Sequence, residues 1–193
     1  PALELLELLK DDPELYVRRS VANHLNDIGK DHPELLATIA KRWLKDAGPE
    51  RAWIVHHALR SALKRGETGA LAVSGFGAKA KVAVREAEIT PARARIGGKV
   101  RIAFDLVNKL SRSQRVLADL RVHYQKTNGK TGPKVFKLKS VEFASRASLH
   151  FEKTLSLADL TTRRHFPGRH RVEVLLNGRG VTLGEFLLTK PGR

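Results

Sequence analysis

Val100-Arg-Ile-Ala-Phe-Asp-Leu106 places Val100, Ile102, Phe104 and Leu106 at every second position, with Arg101, Ala103 and Asp105 between them. Successive side chains of a strand point to opposite faces, so this period of two predicts a strand with one buried face. The same alternation returns in Val116, Ala118, Leu120, Val122 and Tyr124, set against Leu117, Asp119, Arg121 and His123. It continues in Leu149, Phe151, Leu155 and Leu157, where Lys153 breaks the run, and in Val172, Val174 and Leu176. Asn177-Gly178 is a two-residue hairpin signal leading into a strand near 180–189. Strands near 81–89 and 134–139 bring the expected count to seven. Short strands separated by turns predict an immunoglobulin-like β-sandwich of two antiparallel sheets over residues 78–193. The expectation rests on strand count and alternation, because the chain has no Cys to form the inter-sheet disulfide.

Upstream of residue 78 the period is 3.6. Val17, Val21, Leu25 and Ile28 form one stripe, Leu35, Leu36, Ile39, Trp43 and Leu44 a second, and Val55, Leu59, Ala62 and Leu63 a third. Pro13, Pro33 and Pro49 open these runs, where a missing N–H costs nothing, and Gly29, Gly48 and Gly66 close or follow them. Asp12 and Asp31 are the expected caps. The expected helices are 2–10, 13–29, 33–46, 49–65 and 67–75, joined by short connections that make neighbours antiparallel. Tyr16-Val17 and Trp53-Ile54 open similar helices, an offset that sets Arg19 against His56, Asn23 against Arg60 and Asp27 against Lys64. The fold class is therefore α plus all-β in two domains, HEAT-like antiparallel helical repeats over 1–77 and the sandwich over 78–193.

Charge is divided as sharply as period. Residues 1–77 carry 11 basic and 11 acidic side chains, whereas residues 78–193 carry 25 basic against 9 acidic, so the whole formal charge of +16 falls on the sandwich. Such segregation points to a polyanionic partner, most simply nucleic acid, and the partner expected is double-stranded DNA. A protein-interaction scaffold, or a non-catalytic nucleic-acid-binding module, are the competing readings. No stretch is long and apolar enough to span a membrane, and no secretory signal is visible. With no Cys, thiolate metal sites are excluded, and a reducing, cytoplasmic setting is expected. The chain has no Met and starts on Pro1 within a helical period, so it reads as the C-terminal part of a longer protein.

Two groups of residues are candidate contacts to nucleic acid. Arg19, Asn23, Asn26, Asp27 and Lys30 share one side of the helix over 13–29, and Trp53, His56, His57, Arg60 and Lys64 share one side of the helix over 49–65. Donors and a flat aromatic on adjacent helices suit phosphate and base contact, whereas a Trp at such spacing equally suits a core. In the sandwich, Arg163, Arg164, Arg169 and Arg171 surround Phe166-Pro167-Gly168, and Lys126, Lys130 and Lys134 mark another loop. Arginine's planar fork matches phosphate. Lys137 and Lys139 flank Leu138 on an expected edge strand, where lysines commonly block strand-to-strand association. No phosphate-binding glycine loop, H-E-x-x-H or G-x-S-x-G is present, and no complete hydrolytic site, metal site or cofactor site is legible.

The run Tyr16-Val-Arg-Arg-Ser-Val-Ala-Asn-His-Leu-Asn-Asp-Ile-Gly-Lys-Asp-His-Pro33 resembles the AlkD/AlkC superfamily of DNA alkylation repair glycosylases. Trp53-Ile-Val-His-His-Ala-Leu-Arg60 is similar to the next repeat of its AlkC branch, part of which carries a C-terminal immunoglobulin-like domain. The resemblance implies a cationic concave surface of HEAT-like repeats and cofactor-free, metal-free hydrolysis of the N-glycosidic bond of N3-alkylated bases. It implies DNA contact by Arg19, Asn23, Asn26, Asp27, Trp53 and Arg60. Asn23 stands where AlkD-type proteins place an aromatic, and Asn26 where they place a backbone-contacting Arg. The family's main catalytic carboxylate and Trp lie in repeats upstream of these, so no catalytic residue is assigned to this chain.

Overall fold

The structure, a computed structural model, describes residues 1–77, 79–160 and 164–190. The chain divides into two compact units, Pro1–Ala78 and Lys79–Arg193.

The apolar stripes become the helices α1 Ala2–Leu9, α2 Leu15–Asp31, α3 Pro33–Leu44, α4 Pro49–Ala58, α5 Arg60–Arg65 and α6 Thr68–Val73. Val21, Leu25, Leu36, Ile39, Ile54, Val55 and Leu59 meet in one core, and Val17 and Ile28 pack at its margin. Trp43 is the core tryptophan, 2% exposed, and its indole N–H donates to Glu7 Oε2 at 2.9 Å. Lys10 and Arg42 also bond to that carboxylate, and together these partners outweigh its partial burial and hold it down at about 2.

Three expectations need correction. The helix expected over 49–65 breaks at Leu59, and beside the break the guanidinium of Arg60 donates to the His57 carbonyl at 2.6 Å. Gly29 does not end a helix, since α2 runs on to Asp31. A Cβ there would fall 2.3 Å from Leu36 Cδ2, so glycine lets α3 pack directly against the α2 backbone. Asp12 and Asp31 cap no helix: Asp12 Oδ1 accepts the Glu14 N–H at 2.8 Å in the turn before α2, and Asp31 is the last residue of α2. Gly66 behaves as expected, closing α5 with φ at +75°.

The second unit is a sandwich of β1 Val82–Thr90, β2 Arg93–Arg95, β3 Lys99–Asn108, β4 Gln114–Gln125, β5 Thr131–Phe143, β6 Ser148–Ser156, β7 Gly168–Leu176 and β8 Arg179–Thr189. One sheet has the order β1-β3-β6 and the other β2-β8-β7-β4-β5. Val100, Ile102, Phe104 and Leu106 of the first sheet share a core with Val116, Leu120, Val122, Val172, Val174 and Phe186 of the second. The described strands thus number eight rather than seven, and the sheets are not wholly antiparallel, because β2 pairs parallel with β8. The missed strand is three residues long and buries Ala94 alone, too little to register as alternation. The strand expected over 134–139 extends to thirteen residues as an edge strand with a bulge where its register passes Ala118 and Asp119.

Candidate nucleic-acid interface

The helical offset read from sequence is a physical contact. Asn23 of α2 and Arg60 of α5 are 37 residues apart, and Arg60 Nη2 donates to Asn23 Oδ1 at 2.9 Å. Equivalent positions of successive repeats therefore touch. Arg60 uses its other terminal nitrogen on the His57 carbonyl, so the guanidinium is held in one pose between two helices. Trp53 is 37% exposed, and its ring lies on that of His57 with centroids 4.9 Å apart and planes 9° from parallel. Burial, then the nearby Arg60 and Arg19 cations, lowers the His57 imidazole below its ordinary range, so the stack is neutral near pH 7. Arg19 and Lys64 are exposed and make no ion pair among the described residues. Helices α2, α4 and α5 thus present a flat neutral plate beside exposed cations.

Asp27 lies on the same face but is committed. Lys30 Nζ sits 2.7 Å from its Oδ1, and that bond lowers the carboxyl below the usual carboxylate range. Asn26 is a correction, since it is 3% exposed and its Oδ1 is buried. Ala22, Leu25, Asn26 and Gly29 form the buried stripe of α2, and Asn26 belongs to that stripe rather than to the exposed one. One exposed aromatic on an equivalent position was not among the candidates. Tyr16, 82% exposed, occupies in its repeat the position Trp53 holds in the next, and the offset that exposed the Asn23–Arg60 pair also pointed to it.

In the sandwich, strand pairing collects basic loops that are far apart in sequence. His123 pairs with Arg171, Gly168 with Leu188 and Arg95 with Thr189, which puts the turns after β2 and β4 and the segment before β7 at one end. Arg95, Lys99, Lys126, Lys130, Arg164 and Lys190 are exposed there. The Lys126–Lys130 turn closes through the Lys126 N–H on the Lys130 carbonyl at 2.8 Å. Arg164 has no carboxylate partner among the described residues. Arg169 pairs with Glu185, and Arg171 Nη2 lies 3.6 Å from Glu173 Oε1 and 3.4 Å from His123 Nε2. Glu173 also takes Arg121 Nε at 2.7 Å and His123 at 2.8 Å; these bonds outweigh its burial and lower its pKa. The four arginines expected to act alike therefore differ: Arg164 is free, Arg169 and Arg171 are partly neutralised, and Arg163 lies outside the described residues.

Paired helices whose equivalent positions touch, joined in one chain to a sandwich with a five-stranded and a three-stranded sheet, define the helical-repeat plus immunoglobulin-like architecture of the AlkC branch. The chain belongs to the family described as "Uncharacterised protein YhaZ, C-terminal Ig-like domain", whose model matches residues 83–190. It is 36% identical over 178 residues to the protein YhaZ of Bacillus subtilis (strain 168), covering 92% of this chain and 49% of that protein. It superposes with a TM-score of 0.90 and 43% identity on the alkylpurine DNA glycosylase AlkC of Pseudomonas fluorescens, solved bound to DNA containing an abasic site analog; the match covers 97% of this chain and 52% of that one. The chain spans about half the length of either relative. The resemblance carried by Tyr16–Pro33 and Trp53–Arg60 is borne out across both units. Among the described residues no helix is long and apolar enough to cross a membrane.

Proposed function

We propose that this chain holds double-stranded DNA as part of a cytoplasmic DNA alkylation repair glycosylase that hydrolyses the N-glycosidic bond of N3-alkylated bases. The observation that carries the reading is Arg19 and Arg60 beside the Trp53–His57 stack, with Lys64 one turn on from Arg60 in α5. It stands in a chain aligned along 97% of its length with a DNA-bound alkylpurine glycosylase. Arg19 and Lys64 meet phosphates, while Arg60, fixed by Asn23 and the His57 carbonyl, sets the register of the strand. Trp53 and His57 offer a π-face on which a base or sugar edge rests without sequence preference. The basic end of the sandwich, led by Arg164, meets a second stretch of backbone.

The test is fluorescence anisotropy on a labelled duplex, with and without an abasic site analog, over a salt series. Each phosphate contact contributes about 0.9 to the slope of log affinity against log salt. Arg19→Ala and Lys64→Ala should each flatten that slope by about 1, and Trp53→Ala should weaken binding by roughly tenfold at unchanged slope. Affinity independent of salt would sink the proposal. A second reading, a DNA-binding module without catalytic activity of its own, is favoured by the engagement of Asp27 with Lys30.

A further inference from the structure

Lys153 interrupts the apolar run of β6, and the structure shows where that interruption leads. In register it stands opposite Ile102, in the inward phase shared by Leu149 and Phe151. On the other sheet, the bulge in β5 sets Lys139 opposite Ala118, also an inward position. β5 and β6 are both sheet edges, and between them lies a cleft of about 280 Å3 lined by Lys137, Leu138, Lys139, Leu149, Phe151 and Lys153, with His150 and Glu152 at the rim. Lys137, Lys139 and Lys153 make no ion pair among the described residues. The rim carboxylate, Glu152, is held by Arg101 at 2.8 Å, and His150 is held by Asp105 at 2.7 Å. The cleft is therefore apolar in its floor and uncompensated in its positive charge.

We propose that this cleft binds an extended acidic peptide, which adds to β6 as a fourth strand of the three-stranded sheet. β6 pairs with β3 without a bulge from Ser148 to Ser156, so its free edge is a regular template, whereas that of β5 is broken by its bulge. Opposite Leu149 and Phe151 the peptide places apolar side chains, and opposite Lys153, within reach of Lys139, it places carboxylates. A phosphodiester backbone uses neither a strand edge nor an apolar floor, so the chemistry favours peptide over DNA. A single inward lysine would serve to keep other strands away. Two from opposite sheets above one apolar floor form a recognition site for negative charge.

The probe is a labelled heptapeptide, Asp-Thr-Asp-Thr-Ile-Thr-Ile, titrated into the full chain to about millimolar concentration and followed by anisotropy and amide NMR shifts. Saturable binding that moves β6 amides is expected, and it should be absent for the same peptide with Lys in place of Asp. Lys153→Leu restores the apolar alternation and so preserves the fold; combined with Lys139→Gln it should weaken binding by about tenfold or more. Equal binding of both peptides, or of neither, overturns the proposal. So does duplex DNA that shifts the same amides and displaces the peptide, which would make the cleft part of the nucleic-acid surface. Self-association of Lys153→Leu, with no peptide bound by the parent chain, would leave the lysine as an edge guard and also overturn it.

Discussion

Asn26 and Trp53 show what single residues revealed in sequence and what they concealed. A residue every three or four positions satisfies two adjacent stripes of α2, and Asn26 fits both; its polarity suggested the wet one, and packing put it in the dry one. Trp43 read as core and is core, its N–H finding Glu7 inside; Trp53 alone was open between core and contact, and its face finds His57 outside. Gly29 is the residue whose role was least legible, because a close approach to Leu36 leaves no mark of its own in the sequence. It also gives a sharp prediction. In an open helix Gly→Ala adds about 1 kcal/mol through propensity. Here the new methyl meets the buried Leu36 side chain, so Gly29→Ala should instead destabilise the helical unit by about 1–3 kcal/mol, the usual cost of overpacking. Urea denaturation followed by helical circular dichroism measures the sign, and a raised midpoint would contradict the packing argument.

Among the elements, legibility followed the strength of periodicity. The strands that bury one full face, β3, β4 and β7, were plain, whereas β2 with one inward residue and the lysine-rich edge β5 were missed or shortened. The break between α4 and α5 was also invisible, since the apolar stripe passes through Leu59 unchanged. The β4–β7 pair carries a buried histidine that composition never suggested. His170, 0% exposed, stacks on Phe186 with centroids 5.0 Å apart, holds the Gly168 carbonyl through Nδ1 at 3.0 Å, and takes the Gln125 N–H on Nε2. Burial lowers its pKa, against a smaller opposing effect of the Gly168 bond. The folded state thus binds this proton less well than the unfolded chain, where imidazole titrates near 6.5. The resulting stability is present above about pH 6.5 and is lost as pH falls toward the lowered folded value. Thermal melts of the sandwich from pH 8 to pH 5 should show this decline, and His170→Gln, which keeps a donor and an acceptor but does not titrate in this range, should flatten it. Parallel pH profiles for the two proteins would show that His170 is not the group responsible.

At the scale of the whole molecule, the segregation of charge was the plainest signal in the sequence, and under the proposed function it assigns general attraction to a polyanion to the sandwich. The proposal leaves shape to the helical unit, where aromatic and cationic groups sit at fixed repeat positions. Binding and chemistry place different demands on such a face. Cleavage of an N-glycosidic bond needs a carboxylate whose field reaches the developing positive charge on the sugar, and that field is strong only where water is excluded. Asp27 is the carboxylate on this face, and its side chain is 62% exposed with Lys30 at 2.7 Å. Its negative charge is already met by an ammonium and screened by solvent, so it has little left to offer a sugar cation. This chain should therefore bind duplex DNA carrying N3-methyladenine and release no base from it above the spontaneous rate. Heat-treated and untreated aliquots, analysed for free base by chromatography, make the measurement. Lys30→Ala supplies the decisive comparison, since it frees Asp27 without touching Arg19, Trp53 or Arg60. It should leave the lesion intact if exposure is the limiting factor. Excision by the parent chain, abolished in Asp27→Asn, would overturn this account and make Asp27 the catalytic carboxylate.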